Sequence, residues 1–212
     1  MIERILQPKN LYKAYRQVVG NKGAAGVDGM QVDELKVFID QFKAPLLTNI
    51  LSRKYAPQAI RGVEIPKSNG KTRLLGVPTV IDRWLQQAVS QQLATRFELE
   101  FEDESVGFRP QRNLHGAVLQ ALKHINEGYQ DIVDIDLKSF FDEVQHYKVL
   151  QLIYHKVKCP TTLWLIRKWL QAPIQINGTL YKRRKGMPQG SPLSPLLSNI
   201  LLDELDKHLK GK

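Results

Sequence analysis

The hydrophobic residues of this chain recur at helical spacing over most of its length. Near the start they repeat every three or four positions up to Gly20, which predicts a helix that ends there. The glycines of residues 23–29 predict a loop, and a second helix is expected from about Val32 to Ser52. Later helices are predicted from Thr79 to about Phe97, from Asn113 to Gly128, around Leu163 to Leu170, and from Pro192 or Pro195 onward.

Two segments carry the pattern of β-hairpins. Residues 62–77 turn at Asn69-Gly70, and a later pair of short strands turns at Asn177-Gly178. An Asn-Gly pair favours a two-residue turn because both central positions need a positive φ. Helices and hairpins in this order predict an α+β fold.

A third apolar segment, residues 131–137, predicts a single strand. Val133, Ile135 and Leu137 alternate with Asp134 and Asp136, so the two aspartates share the opposite face. A helix is expected to begin near Ser139, with Ser139 and Asp142 forming a capping box.

Composition narrows the class of protein. In 212 residues, 42% are hydrophobic and 25% are charged, which is typical of a globular protein and not of a disordered one. No run approaches the roughly 20 apolar residues that span a bilayer, and the first residues lack the features of a signal peptide. The single Cys159 excludes an internal disulfide framework and a zinc site built on several thiolates. We therefore expect a cytoplasmic protein without a membrane partner.

The charge is strongly positive and unevenly distributed. The net charge is +10 and the pI is about 9.7. Residues 53–73 hold six basic residues and one acid, Lys182-Arg183-Arg184-Lys185 form a second basic run, and residues 101–150 between them are acidic on balance. Such runs can be ordinary solvated surface. However, two basic segments on either side of an acidic one favour a different interpretation, in which the basic residues bind a nucleic-acid backbone and the acidic ones bind a metal.

Asp136 is the main candidate for metal chemistry. A carboxylate at the end of an apolar strand is costly to bury without a cation, and Mg²⁺ is usually held by one or two carboxylates and substrate phosphates. The alternative is a helix cap, which is a common role for aspartate at such a position. The residues alone leave both interpretations open.

The segment from Gly186 to Leu196 is the second candidate. A loop that opens a helix offers free backbone N–H groups, Gly190 permits the close approach of another chain, and Gln189 can both donate and accept hydrogen bonds. The alternative is an ordinary Pro-Gly turn before a buried helix.

Taken together, these segments resemble the reverse transcriptases of group II introns, also called maturases. Residues 133–142 (Val-Asp-Ile-Asp-Leu-Lys-Ser-Phe-Phe-Asp) resemble the first catalytic palm motif, and Met187-Pro188-Gln189-Gly190 with residues 194–199 resembles a later motif. Further similar segments are 26–29, 65–78, Asp82-Arg83 and Gly107-Phe108-Arg109-Pro110. The resemblance covers nearly the whole chain in the family's order.

The resemblance implies right-hand polymerase fingers and an incomplete palm. The implied divisions are fingers with an N-terminal extension at 1–78, a helical fingers or palm segment at 79–130, and a partial palm at 131–212. The implied activity is RNA-directed DNA polymerisation with Mg²⁺, with group II intron RNA, a template, a primer or DNA product, and dNTPs as partners. Splicing assistance is implied as well.

Site residues are also implied by the resemblance. Asp136 matches the catalytic, metal-binding aspartate, and the backbone carbonyl of Leu137 would be a further metal ligand. Lys67, Arg73, Phe141 and Gln189 match nucleotide-binding residues, although core packing is the alternative for Phe141. Nucleic acid is expected to contact Arg109, Arg112, Lys182, Arg183, Arg184 and Lys185, with surface solvation the alternative for the first two. We expect Asp136 to lie beside the Gln189 turn, and an exposed Asp136 would argue against the enzyme assignment.

One departure from the family limits these expectations. The family's Tyr-x-Asp-Asp hairpin, which supplies further metal-binding carboxylates, does not follow the last helix, so we expect a truncated chain that does not polymerise alone. Asp203 and Asp206 do not fit that pattern and are expected to be exposed. The alternatives are a non-catalytic RNA-binding or splicing module, and a reverse transcriptase of another bacterial retroelement. Apolar surface left exposed by the missing strands is expected to favour a homodimer.

Overall fold

The computed structural model describes residues 1–66, 70 and 72–210. Helices form most of the described structure, and most of the predicted helices are confirmed to within a few residues. They are α1 (Ile2–Ile5), α2 (Pro8–Gly20), α3 (Leu35–Leu51), α4 (Val80–Phe97), α5 (Leu114–Asn126), α6 (Phe140–Glu143), α7 (His146–Val157), α8 (Pro160–Gln171) and α9 (Ser194–Lys210). None of the helices in this described part has both the length and the apolar character needed to cross a membrane.

Four strands form one mixed sheet. They are β1 (Ile60–Pro66), β2 (Thr72–Val77), β3 (Ile174–Ile176) and β4 (Thr179–Tyr181), in the order β2-β1-β3-β4. Both hairpins are antiparallel as predicted, while β1 and β3 pair in parallel, which the sequence pattern did not indicate. Asn177 and Gly178 both have positive φ, at 49° and 81°. The α+β class is confirmed.

The core is built around α4. Trp84 is 1% exposed, and its indole N–H donates to the carbonyl of Leu11 at 2.9 Å, which ties α4 to α2. The same apolar cluster extends through α7 and α8 to Leu197 and Ile200 of α9. Buried residues of the cluster therefore come from each of the three predicted segments, and the division at 78/79 and 130/131 stays a prediction.

The predicted capping box at the start of α4 forms in part, because Thr79 caps the helix while the Asp82 carboxylate bonds to the Thr79 hydroxyl and not to its backbone N–H. The Asp82 backbone N–H donates to Thr79 Oγ1 at 3.2 Å, and Thr79 Oγ1 donates to the Asp82 carboxylate at 2.8 Å. The buried carboxylate also accepts hydrogen bonds from Tyr55, Trp169 and the backbone of Gln58. Asp82 thus joins α4, α8 and the segment that leads into β1.

The predicted strand at 131–137 is wrong for this structure. These residues are extended but belong to no strand, and Ile132 and Val133 are 84% and 82% exposed. A strand needs a neighbour that takes its backbone hydrogen bonds, and none of the described strands pairs with this segment. The apolar stripe of α5 is likewise exposed, at Val118, Leu122 and Ile125, although Asn113 caps α5 as predicted, accepting from Gly116 at 2.9 Å.

The helix expected at Ser139 is only the four-residue α6, and the predicted capping box does not form. Ser139 is left-handed, with φ 52°, and its side chain makes no capping hydrogen bond. Its backbone carbonyl instead accepts from the N–H groups of Asp142 and Glu143. The next helix, α7, begins at His146 and was not predicted.

Candidate nucleotide and nucleic-acid site

The loop of residues 186–190 is joined to the segment around α6 by the main chain. The Gly186 N–H donates to the Val144 carbonyl, and the Met187 N–H donates to the Phe141 carbonyl, both at 2.7 Å. Gly186 has a φ of +84°, and a Cβ there would lie 2.9 Å from the Asp142 carbonyl oxygen. This contact requires glycine, and it brings two of the predicted motifs side by side.

The other side of the loop contacts the first hairpin. The Gly76 N–H of β2 donates to the Gln189 carbonyl at 2.8 Å. Gly190 has a φ of +125°, and a Cβ there would lie 2.6 Å from the Gly76 oxygen. The prediction was that another chain approaches closely at Gly190, and in the structure it is β2 of the same chain that does so. We call this meeting of residues 141–144, residues 186–190 and β2 the loop junction.

Two serine hydroxyl groups hold the loop junction from below. Ser191 Oγ donates to the side-chain oxygen of Gln86 at 2.9 Å, and Ser194 Oγ donates to the Pro188 carbonyl at 2.8 Å. Both serines are buried. Sequence reasoning missed them, although each directly precedes a proline at the start of α9, where a side chain is well placed to satisfy free backbone groups.

A small cavity of about 190 Å³ lies at the loop junction. Its lining includes Leu74 and Gly76 of β2, Asp142, Arg183 and Gln189. Burial lowers the pKa of the Arg183 guanidinium, and the charge of Asp142 opposes that effect. Among the described residues, Asp142 supplies the carboxylate in this lining, whereas the sequence predicts it in a capping box.

The predicted nucleotide-binding residues are partly brought together. Gln189 is half-buried in the cavity wall, and Phe141 is half-buried against the core, with its ring 5.7 Å from that of Phe140 in an edge-on arrangement. Arg73 is exposed on β2, three strand residues or about 10 Å from the Gly76 contact. Lys67 and the Asn69 turn position lie outside the described residues.

Asp136 does not take its expected position. Its side chain is exposed, as is the whole 131–137 segment, and it is not among the described residues that line the cavity at Gln189. Residues 133–135 and Leu137 instead lie in a groove with the second half of α9. This corrects the expectation that Asp136 faces the Gln189 turn.

The residues that the structure describes do not assemble a magnesium site. In the described part of the chain, no group of three or more His, Cys, Asp or Glu side chains is placed to hold a metal ion. Asp136 and the Leu137 carbonyl lie on an unpaired, solvent-facing segment, so they do not fit a Mg²⁺ site in this structure.

Arg109 corrects the prediction that it contacts nucleic acid. The residue is 7% exposed, and its guanidinium donates to the Glu98 carboxylate at 2.9 Å and to the backbone carbonyls of Glu102 and Ser105. It also lies over the Phe101 ring, 5.4 Å from its centre. Because the guanidinium of Arg109 is buried and bonded to these partners, it stabilises the loop of residues 98–105. Arg112 is partly exposed and pairs with Asp103 at 2.8 Å, and its role in nucleic-acid binding stays a prediction.

The basic run at 182–185 is divided between solvent and interior. Lys182 and Arg184 are exposed. Lys185 pairs with Glu143 at 2.7 Å, whereas Arg183 turns inward and donates to the Gly186 carbonyl at 2.7 Å. Arg183 is therefore a poor candidate for a backbone phosphate contact, which corrects its inclusion with the other three.

Two further titratable side chains, His146 and Asp203, are buried, which the sequence did not predict. His146 Nε2 lies 2.8 Å from the Gly186 carbonyl oxygen, and burial lowers the pKa of this imidazole. Asp203 was expected to be exposed but is buried and pairs with Lys207. Burial, together with the charge of Asp203, raises the pKa of the neighbouring Asp206.

Comparison with solved structures identifies the fold. The chain matches a protein of the partial Cas6-RT-Cas1–Cas2 complex with a TM-score of 0.61 at 24% identity, covering 99% of this chain and 35% of that one. The chain therefore shares its α+β fold with about a third of that protein.

Comparison of sequences identifies the family. Residues 65–212 match the family described as reverse transcriptase (RNA-dependent DNA polymerase), and the chain belongs to it. It is 39% identical to the group II intron-encoded protein LtrA of Lactococcus lactis subsp. cremoris over 96% of this chain and 34% of that protein. It is 34% identical to protein YkfC of Escherichia coli (strain K12), over 99% of this chain and 56% of that protein. The chain thus spans about a third of the first relative's length.

Proposed function

We propose that this chain provides the nucleotide- and template-contacting part of a group II intron reverse transcriptase, an RNA-directed DNA polymerase. The observation that carries the proposal is the loop junction. Main-chain hydrogen bonds connect the Gln189 loop to Phe141 on one side and to Gly76 of β2 on the other. Three segments that resemble separate polymerase motifs therefore meet at one place, with Gln189 in the wall of a shared cavity.

Each predicted nucleotide-binding residue has a proposed task at this junction. Arg73 is an exposed cation on the hairpin, suited with Lys67 to bind the triphosphate of a dNTP, since cations neutralise charge on transferring phosphoryl oxygens. The backbone carbonyl of Gln189 accepts a hydrogen bond from the Gly76 N–H. The side-chain amide of Gln189 takes no part in that bond, and we propose that it contacts the nascent base pair. Phe141 would lie under the incoming sugar.

RNA binding is the second part of the proposal. Lys182 and Arg184 are exposed cations beside the loop junction, and phosphate contacts of this kind make affinity fall with salt. The partners proposed are group II intron RNA, with splicing assistance, and an RNA template with its DNA primer or product. The two bacterial relatives support a bacterial, cytoplasmic setting.

A specific observation favours RNA binding without catalysis by these residues alone. Asp136 is exposed and apart from the cavity, and the described residues do not assemble a metal site. Two-metal nucleotidyl transfer needs carboxylates on both ions. We therefore propose that Mg²⁺-dependent polymerisation needs carboxylates beyond those gathered in this structure, and that residues 1–212 bind RNA without extending a primer.

The binding part is tested by fluorescence anisotropy with a labelled single-stranded RNA. Replacing Lys182 and Arg184 by alanine is expected to weaken binding and to reduce the slope of log affinity against log salt by about 1.4, since each single-strand phosphate contact contributes about 0.7. Lys43→Ala removes an exposed cation of α3 and is the matched control, with no change expected. A salt-independent affinity would contradict the proposal.

A further inference from the structure

A large open groove lies on the face of α7 and α8. Its volume is about 880 Å³. Tyr147, Leu150 and Tyr154 of α7 line one wall, and their spacing of three or four residues places them on one side of the helix. Both tyrosines are more than half exposed, so their rings are available to a ligand.

The opposite wall is formed by α8 and the basic run. Leu163, Trp164 and Arg167 of α8 line it, followed by Arg184 and Lys185. Trp164 is half-buried against the core, whereas Arg167 and Arg184 are exposed. Within the described residues, neither arginine forms an ion pair, and no acidic residue lines the groove. The groove thus combines three aromatic rings with a positive charge.

We propose that this groove binds single-stranded RNA by stacking unpaired bases on its aromatic side chains. The proposal rests on the proposed function in taking RNA as the partner. Aromatic side chains in a positively charged groove are the arrangement with which proteins bind single strands, because every base has a face that stacks. The cations complement the phosphates, whereas a purely apolar or basic ligand would leave Arg167 and Arg184 without a partner.

The spacing of the aromatic residues sets the size of the bound segment. Tyr147 and Tyr154 are seven residues apart on a helix, or about 10.5 Å. Stacked nucleotides follow at about 3.4 Å along one strand, so the two tyrosines span about three bases. A duplex does not fit this mode, since its base faces are already stacked on one another.

The groove also lies next to the candidate site. Lys185 lines both the groove and the Gln189 cavity, and its pairing with Glu143 holds it between them. A strand in the groove therefore reaches the loop junction directly, and Arg184 is shared by both proposed RNA contacts.

Tryptophan fluorescence tests the groove directly. Of the three tryptophans, Trp84 and Trp169 are 1% and 3% exposed, so Trp164 alone can stack on a ligand. Titrating residues 1–212 with a uridine dodecamer is expected to quench the fluorescence, and Trp164→Phe should abolish the quenching. Tyr154→Ala should weaken binding at least fivefold, since one stacked base contributes about that much or more. Phe42→Ala, which removes an exposed aromatic ring of α3, should leave affinity unchanged.

The outcomes separate this groove from the proposed function. RNA binding without quenching, together with an unchanged affinity in Tyr154→Ala, would overturn the groove and leave RNA binding intact. Equal quenching by an RNA duplex would also overturn it, because stacking requires unpaired bases. A chain that binds no RNA by anisotropy would overturn both proposals.

Discussion

The buried carboxylate of Asp82 gives the sharpest prediction about stability. Asp82 is 2% exposed, and its two oxygens accept from Tyr55 at 2.7 Å, Trp169 at 2.8 Å, Thr79 at 2.8 Å and the Gln58 backbone at 3.3 Å. Asp82→Ala removes both acceptor oxygens and with them all four hydrogen bonds. The Trp169 N–H and the Thr79 hydroxyl are both buried, and each buried unsatisfied donor costs about 1–3 kcal/mol. We therefore expect a loss of about 2–6 kcal/mol.

Asp82→Asn is the milder replacement at the same position. The amide oxygen can keep the hydrogen bonds from Tyr55 and Trp169, and Thr79 can rotate to accept from the amide N–H₂ group. The Gln58 N–H then faces a donor, so we expect a loss of about 1–2 kcal/mol. Urea denaturation followed by tryptophan fluorescence measures both values. Asp33→Asn, at an exposed position, is the control and should change the free energy of unfolding little.

The pH dependence follows from the direction of the Asp82 pKa. Burial raises this pKa above its ordinary value near 3.8, and the hydrogen bonds of the carboxylate only partly oppose that effect. A raised pKa in the folded state contributes stability that is present below the unfolded value and lost as pH rises through the folded value. The advantage of the wild type over Asp82→Asn should therefore be larger at pH 4 than at pH 7. An advantage that grows with pH, or an Asp82→Ala variant as stable as the wild type, would show that Asp82 does not have this structural role.

Three more predictions concern other parts of the chain. Gly190→Ala should destabilise the chain more than Gly178→Ala. Both glycines have positive φ, but only at Gly190 would a Cβ lie 2.6 Å from a backbone oxygen. Equal losses of unfolding free energy in urea denaturation would show that this contact is unimportant. Arg109→Ala should cost about 3 kcal/mol in thermal or urea unfolding and leave RNA affinity unchanged, whereas weaker RNA binding by a folded variant would restore the sequence interpretation. The exposed apolar stripe of α5 should promote self-association that Leu122→Glu reduces, and light scattering that shows a monomer at high concentration would exclude it.

Local patterns were enough to predict the elements that carry their own signals. The helix α4 begins at a threonine cap and α5 at an asparagine cap, and both caps form as expected. The second hairpin turns at Asn177-Gly178 because the two residues accept positive φ. The close approach at Gly190 could also be predicted, because a residue without a Cβ leaves room for a neighbouring backbone.

The errors arise where tertiary contacts decide the outcome. The alternation at 131–137 is real, but a strand forms only beside a partner, and no described strand provides one. Arg109 resembles a surface cation in the sequence, and only the fold of the 98–105 segment surrounds it with acceptors. The parallel pairing of β1 with β3 joins residues more than a hundred positions apart, which no local periodicity indicates.

We propose that the Gln189 loop and β2 together form the place where primer and template meet. This is tested by photocrosslinking residues 1–212 to an RNA template with an annealed primer. The template carries 4-thiouridine opposite the 3′ end of the primer, and the crosslinked peptides are identified by mass spectrometry after tryptic digestion. The proposed arrangement predicts crosslinks in the peptides 74–83 and 186–207, which carry Gly76 and Gln189. Crosslinks confined to other peptides would contradict it.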